Sequence, residues 1–208
     1  MKTVRLRLRH ALLFLAILSL VAVRAGAQTV TWNGSVSSNW FDGLNWSGGF
    51  PNDGADVVID DTAARGVLLT NTTAQLSSLT ITNQTMLFKN WSTQLRATNV
   101  VIRDAGVISM PGFFSNSQMS NRVYIACTDL TLEDGGLIDA DGHGYAGTNG
   151  PGAGPVSGDY RLSGGGHGGK GGGGSSGREG GRTYDSPTAP NVAGSGGGAH
   201  SSHTAYAG

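Results

Sequence analysis

Disulfides, long helices and membrane-spanning segments have little support in this sequence. The chain has a single cysteine, Cys127, so no internal disulfide is available to stabilise the fold. Beyond the leader, no stretch repeats its apolar residues at the 3.6-residue spacing of an amphipathic helix. The one long apolar run, residues 11–23, is too short to cross a membrane. These absences exclude a disulfide-stapled scaffold and disfavour a helical repeat protein.

Residues 1–27 have the three parts of a secretory signal peptide. Basic residues at positions 2, 5, 7 and 9 precede the apolar run, and the small residues Ala25, Gly26 and Ala27 follow it. We predict cleavage after Ala27, so that the mature protein starts at Gln28 and is secreted or exposed at the cell surface. The alternative is an amphipathic anchor that the protein retains.

Little charge remains once the leader is removed. The mature chain keeps nine basic and all fourteen acidic residues, a net charge of −5, and has no basic run. Nucleic acid is therefore a disfavoured partner, because phosphate binding requires clustered lysine or arginine.

Nucleotides are disfavoured as well. Gly142, Gly144 and Gly147 match a dinucleotide fingerprint, but turn-forming residues follow where a helix would have to begin.

A repeat is the most informative feature of the chain. The stretch QLRATNVVIRDAGVIS, from residue 94, returns thirty residues later as YIACTDLTLEDGGLID. The alignment places Val100 with Leu130 and Ile102 with Leu132. Weaker copies lie twenty-one residues earlier and near residue 57, with apolar residues in the same places: Leu76, Leu79 and Ile81, then Val57 and Ile59.

Each copy of the repeat consists of short runs in which apolar residues alternate with polar ones, separated by Asn, Asp and Gly. Such runs predict short strands joined by turns. A unit this small cannot bury its own apolar face, so equivalent strands are expected to stack about 4.8 Å apart. The prediction is an all-β fold, a parallel β-helix over residues 55–141, with an all-β sandwich as the alternative. Cys127 takes the place of Ala97 and is expected to be a small buried residue.

Three tryptophans, Trp32, Trp40 and Trp46, lie close together near the predicted mature N-terminus. The first turn of a stacked coil leaves an open apolar end and an unpaired strand edge, which bulky aromatic residues on a turn-rich segment would cover. We therefore predict that residues 28–54 form an N-terminal cap. The alternative is a sugar-stacking aromatic platform, which requires open ring faces.

The composition changes abruptly after residue 141. Residues 142–208 contain 24 glycines among 67 residues and almost no aliphatic side chains, which is too little apolar surface for a core. We predict a glycine-rich, low-complexity insertion or tail. The composition leaves an ordered insertion and a flexible tail both open.

The tryptophan-rich and glycine-rich segments resemble parts of large bacterial secreted proteins of the β-helix, autotransporter-like passenger class. In that class a W-x-G motif, a second tryptophan and N-W precede the first coil, as at Trp32, Trp40 and Trp46 here. The sequence GHGYAGTNGPGAGP, residues 142–155, resembles the glycine-rich insertion of the same proteins. The resemblance implies a right-handed parallel β-helix of the pectin lyase-like type, of which this chain is the N-terminal fragment.

Asp139 and Asp141 are the candidate metal site. Two carboxylates two residues apart, followed by a glycine, can place hard oxygen atoms around Ca²⁺. No glutamate follows at the spacing of a calcium loop, so an ordinary Asp-Gly turn is the favoured interpretation. We expect no cofactor other than this calcium ion.

The residues do not specify a catalytic site. Polysaccharide-degrading β-helix enzymes use carboxylates on neighbouring coils, and a working pair lies about 5 to 10 Å apart. The alignment places Asp104 beside Asp134 and Arg103 beside Glu133 in successive turns. We interpret these as one like-charge pair and one ion pair between equivalent turn positions, which is an ordinary feature of stacked turns. We therefore expect an extracellular structural or adhesive stalk without catalytic activity, with cell-surface or extracellular polysaccharide as its partner. The alternative is the N-terminal part of a secreted polysaccharide lyase or glycoside hydrolase.

Overall fold

The computed structural model describes residues 27–115, 118–158 and 162–200. Residues 1–26 of the predicted signal peptide lie outside these ranges. The described part of the chain is nearly all-β, with short strands and two short 3-10 turns, Gly43–Asn45 and Ser175–Gly177. Within these ranges no helix has the length and apolar character needed to cross a membrane.

The strands are short because Asn, Asp and Gly interrupt the apolar alternation every few residues. In chain order they are β1 Thr29–Trp32, β2 Trp46–Ser47, β3 Asp56–Ile59, β4 Val67–Leu69, β5 Leu76–Thr82, β6 Thr85–Phe88, β7 Leu95–Arg103, β8 Val107–Ser109, β9 Ile125–Ala126, β10 Asp129–Leu132 and β11 Leu137–Ile138.

Two parallel sheets share these strands, and the chain alternates between them. The first sheet has the order β10, β7, β5, β3, β1, β2, and β9 also pairs with β7. Strands β1 and β2 pair antiparallel, whereas the other neighbours in this sheet pair in parallel. The second sheet is parallel, with the order β11, β8, β6, β4. From β3 to β8, each pass of the chain adds one strand to each sheet.

Equivalent residues of successive repeats lie beside one another in the first sheet. Val57 pairs with Leu79, which pairs with Val100 on its other side. Val100 in turn pairs with Leu130. The sequence alignment predicted these pairs, and the structure confirms them. The step from Val100 to Leu130 is longer because the connection between β8 and β9 carries the extra residues.

The core lies between the two sheets. Buried residues alternate with more exposed ones along β3 and β6, as the period of two in a strand requires. Cys127 packs against this core and is itself partly buried. The largest fully buried side chains are Trp32, Trp40, Phe88, Ile59, Leu69, Leu76, Leu79, Ile81, Met86, Leu95, Ile102 and Ile108.

Strands β10 and β11 are the last strands of the two sheets in the described ranges. Leu130 and Leu132 pair in register with Val100 and Ile102, as predicted. They are nevertheless 46% and 52% exposed, since no described strand pairs with the other edge of β10. Leu137 of β11 is exposed for the same reason. This end of the two sheets therefore presents an apolar edge.

The glycine-rich segment packs through its backbone in place of an apolar core. Three consecutive glycines face three different stretches of chain. A Cβ at Gly165 would lie 2.3 Å from the carbonyl oxygen of Ser195, and one at Gly166 would lie 2.4 Å from that of Arg182. A Cβ at Gly164 would meet Gly172 instead. A side chain at Gly165 or Gly166 would overlap main-chain atoms of the facing stretch, which explains why glycine stands at these positions.

Backbone hydrogen bonds join the neighbouring glycine-rich stretches. The amide of Gly166 donates to the carbonyl of Gly152 at 2.7 Å, and that of Gly181 donates to Gly164 at 2.9 Å. The amide of Gly171 donates back to Gly181 at 2.9 Å. Each bond links segments that are distant in sequence. The main-chain polar groups of residues 142–158 and 162–200 thus supply cohesion that the sparse apolar side chains do not.

Candidate functional site

A cavity of about 680 Å³ lies between the β8 to β9 connection and the glycine-rich segment. Its size falls within the usual range of ligand pockets, about 300 to 1,000 Å³. Its described lining combines aromatic rings, one guanidinium and one imidazole with amide groups, and it includes no Asp or Glu. The residues that matter for its chemistry are Trp91, Phe114, Arg122, Tyr124, His143 and Asn191.

One wall of the cavity is formed by residues 121–124, which run alongside the residues that lead into β7. The amide of Asn90 donates to Oδ1 of Asn121 at 3.1 Å. Further along, the amide of Leu95 donates to the carbonyl of Tyr124 at 3.0 Å. These bonds fix the end of the β8 to β9 connection against the preceding repeat.

Arg122 is held at the cavity wall by one carbonyl and two aromatic rings. Its Nε donates to the carbonyl oxygen of Trp91 at 2.8 Å. The central guanidinium carbon lies 4.9 Å from the Trp91 ring centroid and 4.5 Å from the Tyr124 ring centroid. Each cation–π contact of this kind contributes about 0.5 to 2 kcal/mol. The positive charge is therefore held in position by groups of the chain itself.

Phe114 and Tyr145 join this wall to the glycine-rich segment. Their rings are buried and meet edge to face, with centroids 4.8 Å apart. The amide of Phe114 donates to the carbonyl of Gly144 at 3.1 Å, and the amide of Ala146 donates to Phe114 at 2.9 Å. Burial raises the pKa of the Tyr145 phenol above its ordinary value.

Asp185 organises the opposite wall. One of its carboxylate oxygens accepts from the amides of Asn191 and Val192, both at 2.8 Å, and the other accepts from Ser186 at 2.8 Å. Nε2 of His167 lies 3.4 Å from the Asp185 carboxylate and 2.8 Å from the Val192 carbonyl. The Ser186 amide above all, then the other two amides and His167, hold the pKa of Asp185 below its ordinary value.

His143 lines the cavity and carries an unsatisfied polar atom. Its Nδ1 is buried and has no hydrogen-bond partner in the described part of the chain. A buried polar atom left in this state costs about 1 to 3 kcal/mol. An imidazole without a bond at that nitrogen can reorient to meet a ligand, and bonding would recover part of this cost.

The three tryptophans of the N-terminal segment are buried, as predicted for a cap. Their exposed fractions are 0% for Trp32, 1% for Trp40 and 6% for Trp46. Trp46 meets both of the others edge to face, with centroids 5.0 Å from Trp32 and 4.7 Å from Trp40. Because the rings are covered, this cluster does not offer the open faces that a sugar-stacking platform needs.

Asp139 and Asp141 lie together in a turn. The amide of Asp141 donates to Oδ1 of Asp139 at 2.9 Å, and Gly142 follows with a φ of 67°. This is the geometry of the Asp-Gly turn that the sequence favoured. The described ranges contain no group of three or more His, Cys, Asp or Glu side chains placed to hold a metal ion. Calcium at these two residues stays a prediction.

The predicted charge ladder, in the turns that follow β7 and β10, forms an exposed cluster. The amide of Asp104 donates to the carbonyl of Asp134 at 3.0 Å. Arg103 lies 3.9 Å from the Glu133 carboxylate, which confirms the predicted pair, and 3.6 Å from that of Asp104. Exposed ion pairs of this kind contribute about 0 to 1 kcal/mol, so the ladder is part of the turn surface.

Sequence reasoning did not find the cavity. Trp91 and Arg122 lie outside the repeat, and Tyr124 is the first residue of its second copy, opposite the polar Gln94, so the alignment predicts no binding side chain there. The one signal available was the extra length of the thirty-residue copy, which brings basic and aromatic residues into a connection between strands.

Comparison with protein-family models, curated proteins and solved structures found no match for this chain.

Proposed function

We propose that this chain is the N-terminal part of an extracellular right-handed parallel β-helix protein that acts as a structural or adhesive stalk without catalytic activity of its own. The observation that carries the proposal is the row Val57, Leu79, Val100 and Leu130, in which each residue pairs in parallel with its equivalent. A chain that adds one strand to each of two sheets per pass builds a continuous coil. Right-handed connections are the rule between parallel strands.

In this proposal residues 28–54 are the cap. Strand β2 covers β1 on the side away from β3. In the second sheet the amide of Leu68 donates to Ser38 at 2.7 Å, and the amide of Trp40 donates to Leu68 at 3.2 Å. Both sheets therefore have their first edges covered, which is how stacked coils avoid edge-to-edge association.

The apolar edge formed by Leu130, Leu132 and Leu137 supports a longer stalk. Exposed leucines on the last strands of two sheets are the surface that a further coil of the same kind would bury. The cavity supports the adhesive part of the proposal, since it combines ring faces with a few convergent polar groups. We propose cell-surface or extracellular polysaccharide as the partner.

Paired cysteines test the coil register in solution. Thr80 and Val101 are direct partners on adjacent strands of the first sheet. Thr80→Cys with Val101→Cys is expected to cross-link under mild oxidation, because parallel neighbours lie within the Cα separation that a disulfide spans, about 4.4 to 6.8 Å. The control pair, Thr80→Cys with Arg96→Cys, lies out of register and should stay reduced. Cross-linking of the control pair alone would contradict the coil.

Secretion and catalysis are tested on the same preparation. Expression of the full chain in a bacterial host should yield an exported protein whose N-terminal residue is Gln28. This protein is then incubated with pectate, alginate and xylan, with and without calcium, while reducing ends and unsaturated products are measured. No turnover is expected, because the described cavity lining has no carboxylate to act as acid or base. Turnover that disappears with Asp134→Asn would replace the stalk by the enzyme alternative.

A further inference from the structure

We infer that the cavity is a binding site for an acidic saccharide, in which Arg122 binds a carboxylate of the ligand. This assignment rests on the proposed adhesive function and adds to it a site, a ligand class and a specificity-determining residue.

The charge of the cavity favours an anion. The described lining contains the guanidinium of Arg122 and the imidazole of His143 but no carboxylate, although the mature chain is acidic. A partly buried positive group on the wall of a cavity attracts an anionic ligand more strongly than a fully exposed one does. Asp185 lies behind the opposite wall and outside the lining, and its carboxylate accepts hydrogen bonds from the main-chain amides of Asn191 and Val192.

The position of the guanidinium favours a carboxylate in particular. Nε of Arg122 is engaged by the Trp91 carbonyl, and the rings of Trp91 and Tyr124 hold the plane of the group. Among the described contacts, Nε is the guanidinium nitrogen that donates, which leaves the two terminal nitrogens to bind side by side. Their spacing matches the two oxygens of a carboxylate, and a lysine could not reproduce it.

The aromatic rings favour a saccharide as the body of that ligand. Trp91 is the one tryptophan of four that is not buried, and Tyr124 is 42% exposed. Partly exposed rings beside amide and imidazole groups provide both apolar faces and hydrogen bonds, as a sugar ring requires. The cavity is also large enough for a short oligosaccharide at about 680 Å³.

The decisive probe is a matched pair of trisaccharides, cellouronate and cellotriose, which share a backbone and differ in the carboxylate. Binding to the purified mature protein is followed by calorimetry and by quenching of the tryptophan fluorescence. We expect cellouronate to bind about tenfold or more tightly than cellotriose, and acetate alone to bind more weakly than either. Equal affinity for the two trisaccharides, or no binding of cellouronate, would overturn the assignment.

Two variants locate the site, each with a control. Arg122→Gln should weaken cellouronate binding about tenfold or more, whereas Arg96→Gln, which removes an exposed arginine of β7, should leave it unchanged. Because Arg122 also contributes to packing, Asn191→Asp is the second test. It adds a carboxylate at an exposed position of the opposite wall, and it should weaken the binding of cellouronate by a larger factor than the binding of cellotriose. Asn191→Ser is its neutral control.

The outcomes separate this site from the proposed function. If the protein binds an insoluble acidic polysaccharide and folded Arg122→Gln binds it equally well, adhesion stands and the cavity assignment fails. If cellouronate binds in the cavity and is cleaved there, the assignment stands and the stalk without activity fails.

Discussion

The side chain of Asn45 bonds to both the main chain and the side chain of Ser37. The Ser37 amide donates to Oδ1 of Asn45 at 2.9 Å, and Nδ2 of Asn45 donates to Oγ of Ser37 at 2.9 Å. Oδ1 also accepts from the amide of Val36, and Nδ2 also donates to the carbonyl of Asn39. A fully buried amide with four bonds therefore adds a polar network to the apolar packing of the tryptophan-rich segment.

Asn45→Ala should therefore destabilise the protein by about 2 to 4 kcal/mol, because it leaves two main-chain amides without an acceptor. The measurement is the midpoint of urea unfolding. Asn52→Ala, at an exposed position in the same segment, is the control and should cost less than about 0.5 kcal/mol. Equal effects of the two substitutions would show that the Asn45 network is not structural.

Trp40→Ala should cost about 3 to 5 kcal/mol, since it empties a buried aromatic site at the end of the two sheets. Leu44→Ala removes a side chain that is 71% exposed on the adjoining turn, and it should change the unfolding midpoint little. Near-native stability of Trp40→Ala together with lost polysaccharide binding would favour the platform interpretation over the cap.

The glycine array, meaning the closely packed glycines of residues 162–174 and their neighbours in the glycine-rich segment, provides a matched pair of substitutions. A Cβ at Gly165 would lie 2.3 Å from the carbonyl oxygen of Ser195, whereas at Gly169 it would meet nothing within 4 Å. Gly165→Ala should destabilise the array by about 1 to 3 kcal/mol through overpacking. Hydrogen exchange of the neighbouring amides, such as that of Gly166, should accelerate in this variant and stay unchanged in Gly169→Ala. Loss of protection in both variants would contradict backbone packing as the cause.

Acid should weaken the hydrogen bonds from the amides of Asn191 and Val192 to the Asp185 carboxylate. The folded-state pKa of Asp185 is lowered from 3.8, so the open chain takes up the proton at higher pH than the folded loop does. The stability that the ionised Asp185 carboxylate gives to the folded loop is complete above the ordinary pKa of 3.8. This stability is lost as the pH falls through the lowered pKa of the folded state. Amide exchange at Asn191 and Val192, corrected for intrinsic rates, should accelerate below about pH 4 relative to pH 6.

Asp185→Asn is the matched variant for that experiment. Asn tolerates the left-handed backbone found at this residue, with a φ of 62°, but lacks the charge. Exchange at Asn191 should be faster than in the parent protein at pH 6 and should not change further in acid. Identical protection of the parent loop at pH 6 and pH 3 would rule out the Asp185 carboxylate as its anchor.

The amino-acid sequence determined the register of the parallel strands and the burial of the three N-terminal tryptophans. Val57, Leu79 and Val100 recur at nearly constant spacing, and a strand period of two leaves one consistent way to bury all three. The exposure of Leu130 could not be anticipated, because it depends on whether another strand lies beside β10.

The tertiary structure alone decided the glycine array and the cavity. Glycine has no side chain to set a period, so which stretch lies against Gly165 depends on close approach of backbones far apart in sequence. Arg122 likewise lines the cavity only because the fold sets it against Trp91 and Tyr124. These contacts join a strand connection to a distant turn, and no local pattern of apolar and polar residues encodes them.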